Sequence, residues 1–131
     1  MTTINHASAY AHDPRAAAEH LAALGGGRAA RFEPLPGAWA VLFEGTWEGA
    51  MIELYPRDKT FALRDGAIGF HDLSPPARGA GTHFNLSVDK TRQELESLCA
   101  ARGLTCSWRG WAAFLDVWVD EELLVELVPR A

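Results

Sequence analysis

Apolar and polar positions alternate with a period of two in four separate stretches. In 82–88, His83, Asn85 and Ser87 share one face while Phe84, Leu86 and Val88 share the other, the signature of a half-buried strand. In 123–128, Leu123, Val125 and Leu127 oppose Leu124, Glu126 and Val128. In 50–55, Ile52 and Leu54 oppose Met51, Glu53 and Tyr55. In 4–10, Ile4, His6, Ser8 and Tyr10 oppose Asn5, Ala7 and Ala9. Two helices interrupt the strands. The first covers 15–24, with Asp13 as cap, Pro14 in its first turn and Gly25-Gly26-Gly27 as its end. The second covers 91–102, opened by Thr91 with Glu94 as a capping box and stopped by Gly103. Further strands are expected at 31–35, 38–44, 104–108 and 112–119, with turns at Pro36-Gly37, Glu48-Gly49 and Asp120-Glu121.

The order is therefore strand, helix and three strands, twice. The repeat shows in the residues themselves. Met51-Ile52-Glu53-Leu54-Tyr55-Pro56-Arg57 returns as Leu124-Val125-Glu126-Leu127-Val128-Pro129-Arg130. A shift of 77 positions pairs His6 with His83, Glu19 with Glu96 and Gly26 with Gly103, and a shift of 73 pairs Glu53 with Glu126. The expected class is α+β, with one domain over 1–131 built of two βαβββ modules, about 3–56 and 82–130. The modules would form a half-open, cup-shaped mixed sheet with the helices outside. Between them, 57–81 carries Gly66, Gly69, Pro75-Pro76, Gly79 and Gly81, and reads as a linker with one short ordered piece.

Composition narrows the picture. The chain of 131 residues is long enough to bury one core. No apolar run approaches the roughly 20 residues that span a bilayer, and the N-terminus lacks a signal-peptide pattern, so a cytoplasmic protein without membrane contact is expected. The net charge of −5 argues against nucleic acid, whose phosphates need a clustered basic surface. Cys99 and Cys106 fall on apolar faces and read as buried small hydrophobes.

The candidate chemistry lies on the repeat. His6, Glu53, His83 and Glu126 all fall on strand faces that can point away from the helices, and that parity allows one shared concave site. A strand histidine is often structural, but two at equivalent repeat positions, each with a parity-matched glutamate, favour a metal. Two imidazoles and two carboxylates suit a divalent ion such as Zn, Ni, Co, Fe or Mn.

Two βαβββ modules, each with a first-strand histidine and a last-strand glutamate, resemble the vicinal oxygen chelate superfamily, which includes glyoxalase I, fosfomycin-resistance transferases, ring-cleaving dioxygenases and bleomycin-resistance proteins. The resemblance spans about residues 3–130. It implies metal ligation by His6, Glu53, His83 and Glu126, with Glu126 or Glu53 moving a proton. Four filled positions look like glyoxalase I and imply a metal-dependent lyase or isomerase acting on a small molecule with adjacent oxygens. Other members imply a dioxygenase, a resistance transferase or a metal-free protein that sequesters its ligand. The first helix departs from the family: it reads Glu19-His20-Leu21-Ala22 where members carry a Phe-Tyr pair. Nor do basic residues match those that hold glutathione in thiol-dependent members. A half-cup sheet leaves an edge to cover, so a homodimer is expected, with the modules closing within one chain or across two.

The remaining singular residues have plainer expectations. His12 should sit at a helix start and His20 on a solvated helix face, while His71 is a weaker candidate for lining the opening. Arg57 and Arg130 should pair with acids. Most of Trp39, Trp47, Trp108, Trp111 and Trp118 should pack on the sheet, with Trp47 and Trp111 nearer turns.

Overall fold

The computed structural model describes residues 2–79 and 81–131. The N-terminal module comprises β1 (His6–Ala11), α1 (Pro14–Gly25), β2 (Arg28–Arg31), β3 (Trp39–Leu42) and β4 (Met51–Pro56). A hairpin of β5 (Lys59–Arg64) and β6 (Ala67–Asp72) follows. The second module comprises β7 (His83–Ser87), α2 (Arg92–Arg102), β8 (Thr105–Arg109), β9 (Phe114–Asp120) and β10 (Leu123–Val128). The two four-stranded sheets run β1-β4-β3-β2 and β7-β10-β9-β8. In each, the first strand lies parallel to the last and the other pairs are antiparallel. The fold is α+β with duplicated βαβββ modules.

Both helices begin as their sequences dictate. The Asp13 carboxylate accepts from the Ala16 N–H, with Pro14 opening α1. The Thr91 hydroxyl accepts from the Glu94 N–H, and the Glu94 carboxylate accepts from the Thr91 N–H at 2.6 Å. Gly103 ends α2 in the left-handed conformation at φ 68°, where a side chain is disfavoured.

Two expectations need correction. The second strand lies at 28–31, not 31–35. Gly26 and Gly27 turn the chain off α1 directly against β3, and Glu33-Pro34-Leu35-Pro36-Gly37 forms a turn because neither proline has an N–H to donate to a ladder. Leu35 still buries its side chain from within that turn. The segment 57–81 holds a six-residue-a-side hairpin rather than one short piece. Gly66 makes the hairpin's tight turn at φ 75°, while Gly69 lies within β6 opposite Ala62. Lys59 and Asp72 face each other across its open end and form an ion pair.

One core serves both modules. Ala17, Ala18, Leu21 and Leu24 of α1 pack on Val41, Ile52 and Leu54, and the same cluster takes in Leu95, Cys99, Leu115, Val117, Leu123, Val125 and Leu127. Contacts of α1 with α2 and β9 join the halves. Burying each leucine, isoleucine or valine of this cluster contributes about 1.5–3 kcal/mol. His20 departs from the solvated position expected of it: its Nδ1 accepts from Arg102 Nε at 2.8 Å. Partial burial, then the Arg102 charge, holds its pKa below the ordinary histidine value. No helix is long and apolar enough to cross a membrane among the described residues.

Candidate functional site

The duplication extends to strand register. In the first sheet His6 stands opposite Met51, Ser8 opposite Glu53, and Glu53 opposite Ala40. In the second, His83 stands opposite Leu124, Asn85 opposite Glu126, and Glu126 opposite Asp116. Partners in register project from the same face, so each module places its histidine and glutamate on the face opposite its helix, two residues out of step.

The environments differ. Glu126 is buried, and its two oxygens have separate partners. Oε2 accepts from Arg109 Nη1 at 3.2 Å; Oε1 accepts from Asn85 Nδ2 at 3.3 Å and lies 3.9 Å from His83 Nε2. Arg109 also grips Asp116 with two nitrogens, Nε to Oδ2 at 2.9 Å and Nη2 to Oδ1 at 2.8 Å. Its guanidinium lies 4.9 Å from the Phe114 ring centre and 5.5 Å from that of Trp111, close enough for cation–π attraction. A fork-on-carboxylate grip fixes geometry as well as charge.

Glu53 has no ion pair among the described residues. The Tyr55 hydroxyl donates to its Oε2 at 3.0 Å. Burial, and next the bond to Glu53, push the Tyr55 phenol up to about 12, while the Ser8 hydroxyl acts in the opposite sense. Where the second module has Arg109 and Asp116, the equivalent positions of the first are Phe32 and Ala40, read from the register of β2, β3 and β4. Phe32 stacks on Tyr55 with ring centres 6.2 Å apart, and Phe70 of the hairpin meets Tyr55 edge-on at 5.6 Å. One face is ionic; the other is aromatic and hydroxylated.

Of the four sequence candidates, His83 and Glu126 come together. His6 sits exposed at the start of β1, and Glu53 is half-buried in its own network. Among the described residues no three of His, Cys, Asp and Glu are grouped closely enough to hold a metal ion, so His6 and Glu53 do not join His83 and Glu126 within the chain. The 3.9 Å between His83 Nε2 and Glu126 Oε1 is too long for a hydrogen bond. His83 and Glu126 are of the donor types that a divalent ion takes, and Arg109 and Asn85 orient the carboxylate.

Sequence reasoning passed over Arg109, Asp116, Asn85 and Tyr55. Asn85 and Tyr55 were visible by strand parity. Arg109 was not, because it reaches Glu126 from two strands away, across β9. Arg57 and Arg130 do pair with acids, Glu122 and Asp89/Glu94 respectively. Trp111 and Trp47 are exposed at their turns, as is Trp118 on the open face of β9, while Trp39 and Trp108 lie half-buried beneath Arg15 and Arg92.

No protein-family model matches the sequence, and no curated protein sequence matches it. Solved structures do. The fosfomycin resistance protein FosX from Mesorhizobium loti superimposes with a TM-score of 0.64 at 10% identity, over 100% of this chain and 94% of that one. A lactoylglutathione lyase from Agrobacterium tumefaciens gives 0.60 at 18% identity, over 98% and 94%. An integron cassette protein from Vibrio cholerae gives 0.60 at 13%, over 100% and 97%. The chain shares its fold with these structures over essentially its whole length.

Proposed function

On this vicinal oxygen chelate fold, we propose that the chain is a metal-dependent lyase or isomerase of glyoxalase type, acting on a small substrate with two adjacent oxygens. The observation that carries the reading is the divided carboxylate of Glu126, one oxygen anchored by Arg109 and the other facing His83 at 3.9 Å. One chain supplies two donors, and His6 and Glu53 occupy the equivalent face of the other module. We therefore propose a homodimer in which the N-terminal module of one copy faces the C-terminal module of the other, bringing all four to one ion. A divalent ion there would polarise a substrate carbonyl and stabilise an enediolate. Arg109 and Asn85 keep Glu126 fixed, whereas Glu53, held by one phenol, is the carboxylate able to take a proton from one carbon and return it to the next.

A second reading rests on the same arginine. Arg109 already offsets one of the two negative charges of Glu126 and Asp116 and occupies one oxygen of Glu126 and both of Asp116, which suits a metal-free protein that sequesters a ligand. Elemental analysis and thermal unfolding with added Zn, Ni, Co, Fe or Mn separate the two. At a hundredfold excess over Kd a bound ion adds about 2.7 kcal/mol. Such a shift, abolished in both His83→Ala and Glu126→Ala, is the expected result, with sedimentation reporting a dimer. A parent protein that carries no divalent ion and does not respond to titration refutes the metal-dependent reading in favour of sequestration.

A further inference from the structure

A cavity of about 240 Å³ lies between β1, β4 and the hairpin, lined by Ser8, Ala9, Tyr10, Tyr55, Thr60 and Thr82. It is far larger than the roughly 30 Å³ share of one water. Its lining combines five hydroxyls with two aromatic rings and contains no charged side chain. We propose that this cavity binds a small uncharged polyhydroxyl compound, with neighbouring hydroxyls engaging the lining and its C–H faces resting on Tyr10 and Tyr55.

Three observations carry the assignment. The hydroxyls are already organised: Tyr10 donates to Thr60 Oγ1 at 3.1 Å, and Tyr55 donates to Glu53 Oε2 at 3.0 Å. Each accepting or donating hydroxyl keeps unused capacity, because a hydroxyl offers one proton and two lone pairs. Thr60 has accepted from Tyr10 and still has its own proton to give. Tyr55 has given its proton to Glu53 and retains lone pairs. A ligand that both donates and accepts at adjacent positions matches such a lining; a pure acceptor such as phosphate or carboxylate does not, since no cation lines the cavity and Arg78, in the adjoining pocket, stands there with Glu122. The walls are also held in place. Tyr55 packs on Phe32 and Phe70, and Thr60 is carried on a strand paired with β6, so the cavity is built by the hairpin closing over the first sheet. The site requires neither a metal nor a second copy, and its test is independent of both.

The test uses the full-length protein in EDTA, with backbone amide spectra followed during titration with erythritol and, separately, sodium acetate and sodium phosphate at matched ionic strength. Erythritol should give saturable shifts at Ser8, Tyr10, Thr60 and Thr82 in the millimolar range, and the two anions should not. The double variant Ser8→Ala/Thr60→Val should weaken binding tenfold or more while the remaining amide spectrum stays that of the parent. If that variant fails to fold, Tyr10→Phe, which keeps the ring and removes one hydroxyl, should weaken binding at least threefold. The proposal is overturned by non-saturable shifts with erythritol, by an equal response to acetate or phosphate, or by parent-like affinity in a folded variant.

Discussion

Tyr55 carries the clearest electrostatic consequence at the scale of single residues. It is 8% exposed, and its phenol is pushed up to about 12 by burial and by donation to Glu53. The folded protein thus holds this proton more tightly than the unfolded chain, whose tyrosine titrates near 10. The stabilisation is complete below about pH 10 and is lost as pH rises through 12, an effect of order 1–3 kcal/mol. Ultraviolet titration should show a phenolate step near 12 that disappears in Tyr55→Phe, and the fall of stability between pH 10 and 12 should flatten in the same variant. An unchanged titration in that variant would mean that the step near 12 does not belong to Tyr55. Much of the candidate site was legible residue by residue: the parity of His83 and Glu126 was correct, and so was that of Glu53. What stayed hidden was the contrast between the two glutamates. It depends on Arg109 and Phe32, which stand at matching places in the two sheets but share no sequence likeness, and only register makes them comparable.

Among the elements, the join between α1 and β2 is the most constrained. Gly27 has φ 85°, and a Cβ there would overlap the Leu42 carbonyl oxygen and lie 2.7 Å from Phe43 Cα. Gly103, closing α2 at φ 68°, faces open space. Gly26, the cap of α1 that matches Gly103, also faces open space, whereas Gly27 lies one residue beyond it, so Gly27 and Gly103 should differ in tolerance. Gly103→Ala is expected to cost about 1–2 kcal/mol from backbone strain alone. Gly27→Ala adds a backbone clash and should cost about 3–4 kcal/mol; urea unfolding of the pair measures the difference, and equal costs would contradict this account of β2. Here lies the limit of pattern reading at this scale. Caps and alternation located both helices and the strands that bear the site. The shift of β2 to 28–31 was not visible, because Arg28-Ala29-Ala30-Arg31 has little apolar alternation of its own and is a strand through pairing with β3. The hairpin was missed for a similar reason: Leu63 and Ile68 stand exposed near its tip, so among its described residues only the base, around Phe70, shows a packed face.

The whole molecule is tied together by the β9–β10 turn. Asp120 accepts from the N–H of Asp13 at 2.9 Å, and buried Glu122 takes Arg57 Nη1 at 3.0 Å together with the Gly79 N–H. One short turn of the second module thereby holds the start of α1, the exit of β4 and the end of the connecting segment. Glu122→Ala should destabilise the protein by about 2–3 kcal/mol and should raise hydrogen exchange in 73–79 before it does so in β9 or β10. Uniform exchange loss across the chain would show that the turn supports the fold generally and does not clasp the modules. The matched register of the two sheets has a consequence of another kind. Because His6 and His83, or Glu53 and Glu126, occupy the same backbone coordinates in different surroundings, each half is an internal control for the other. A difference between Glu53→Gln and Glu126→Gln, made in one molecule under one solvent, reads what the two sets of neighbours, Arg109 with Asn85 against Tyr55, do to a carboxylate whose strand geometry is already held constant.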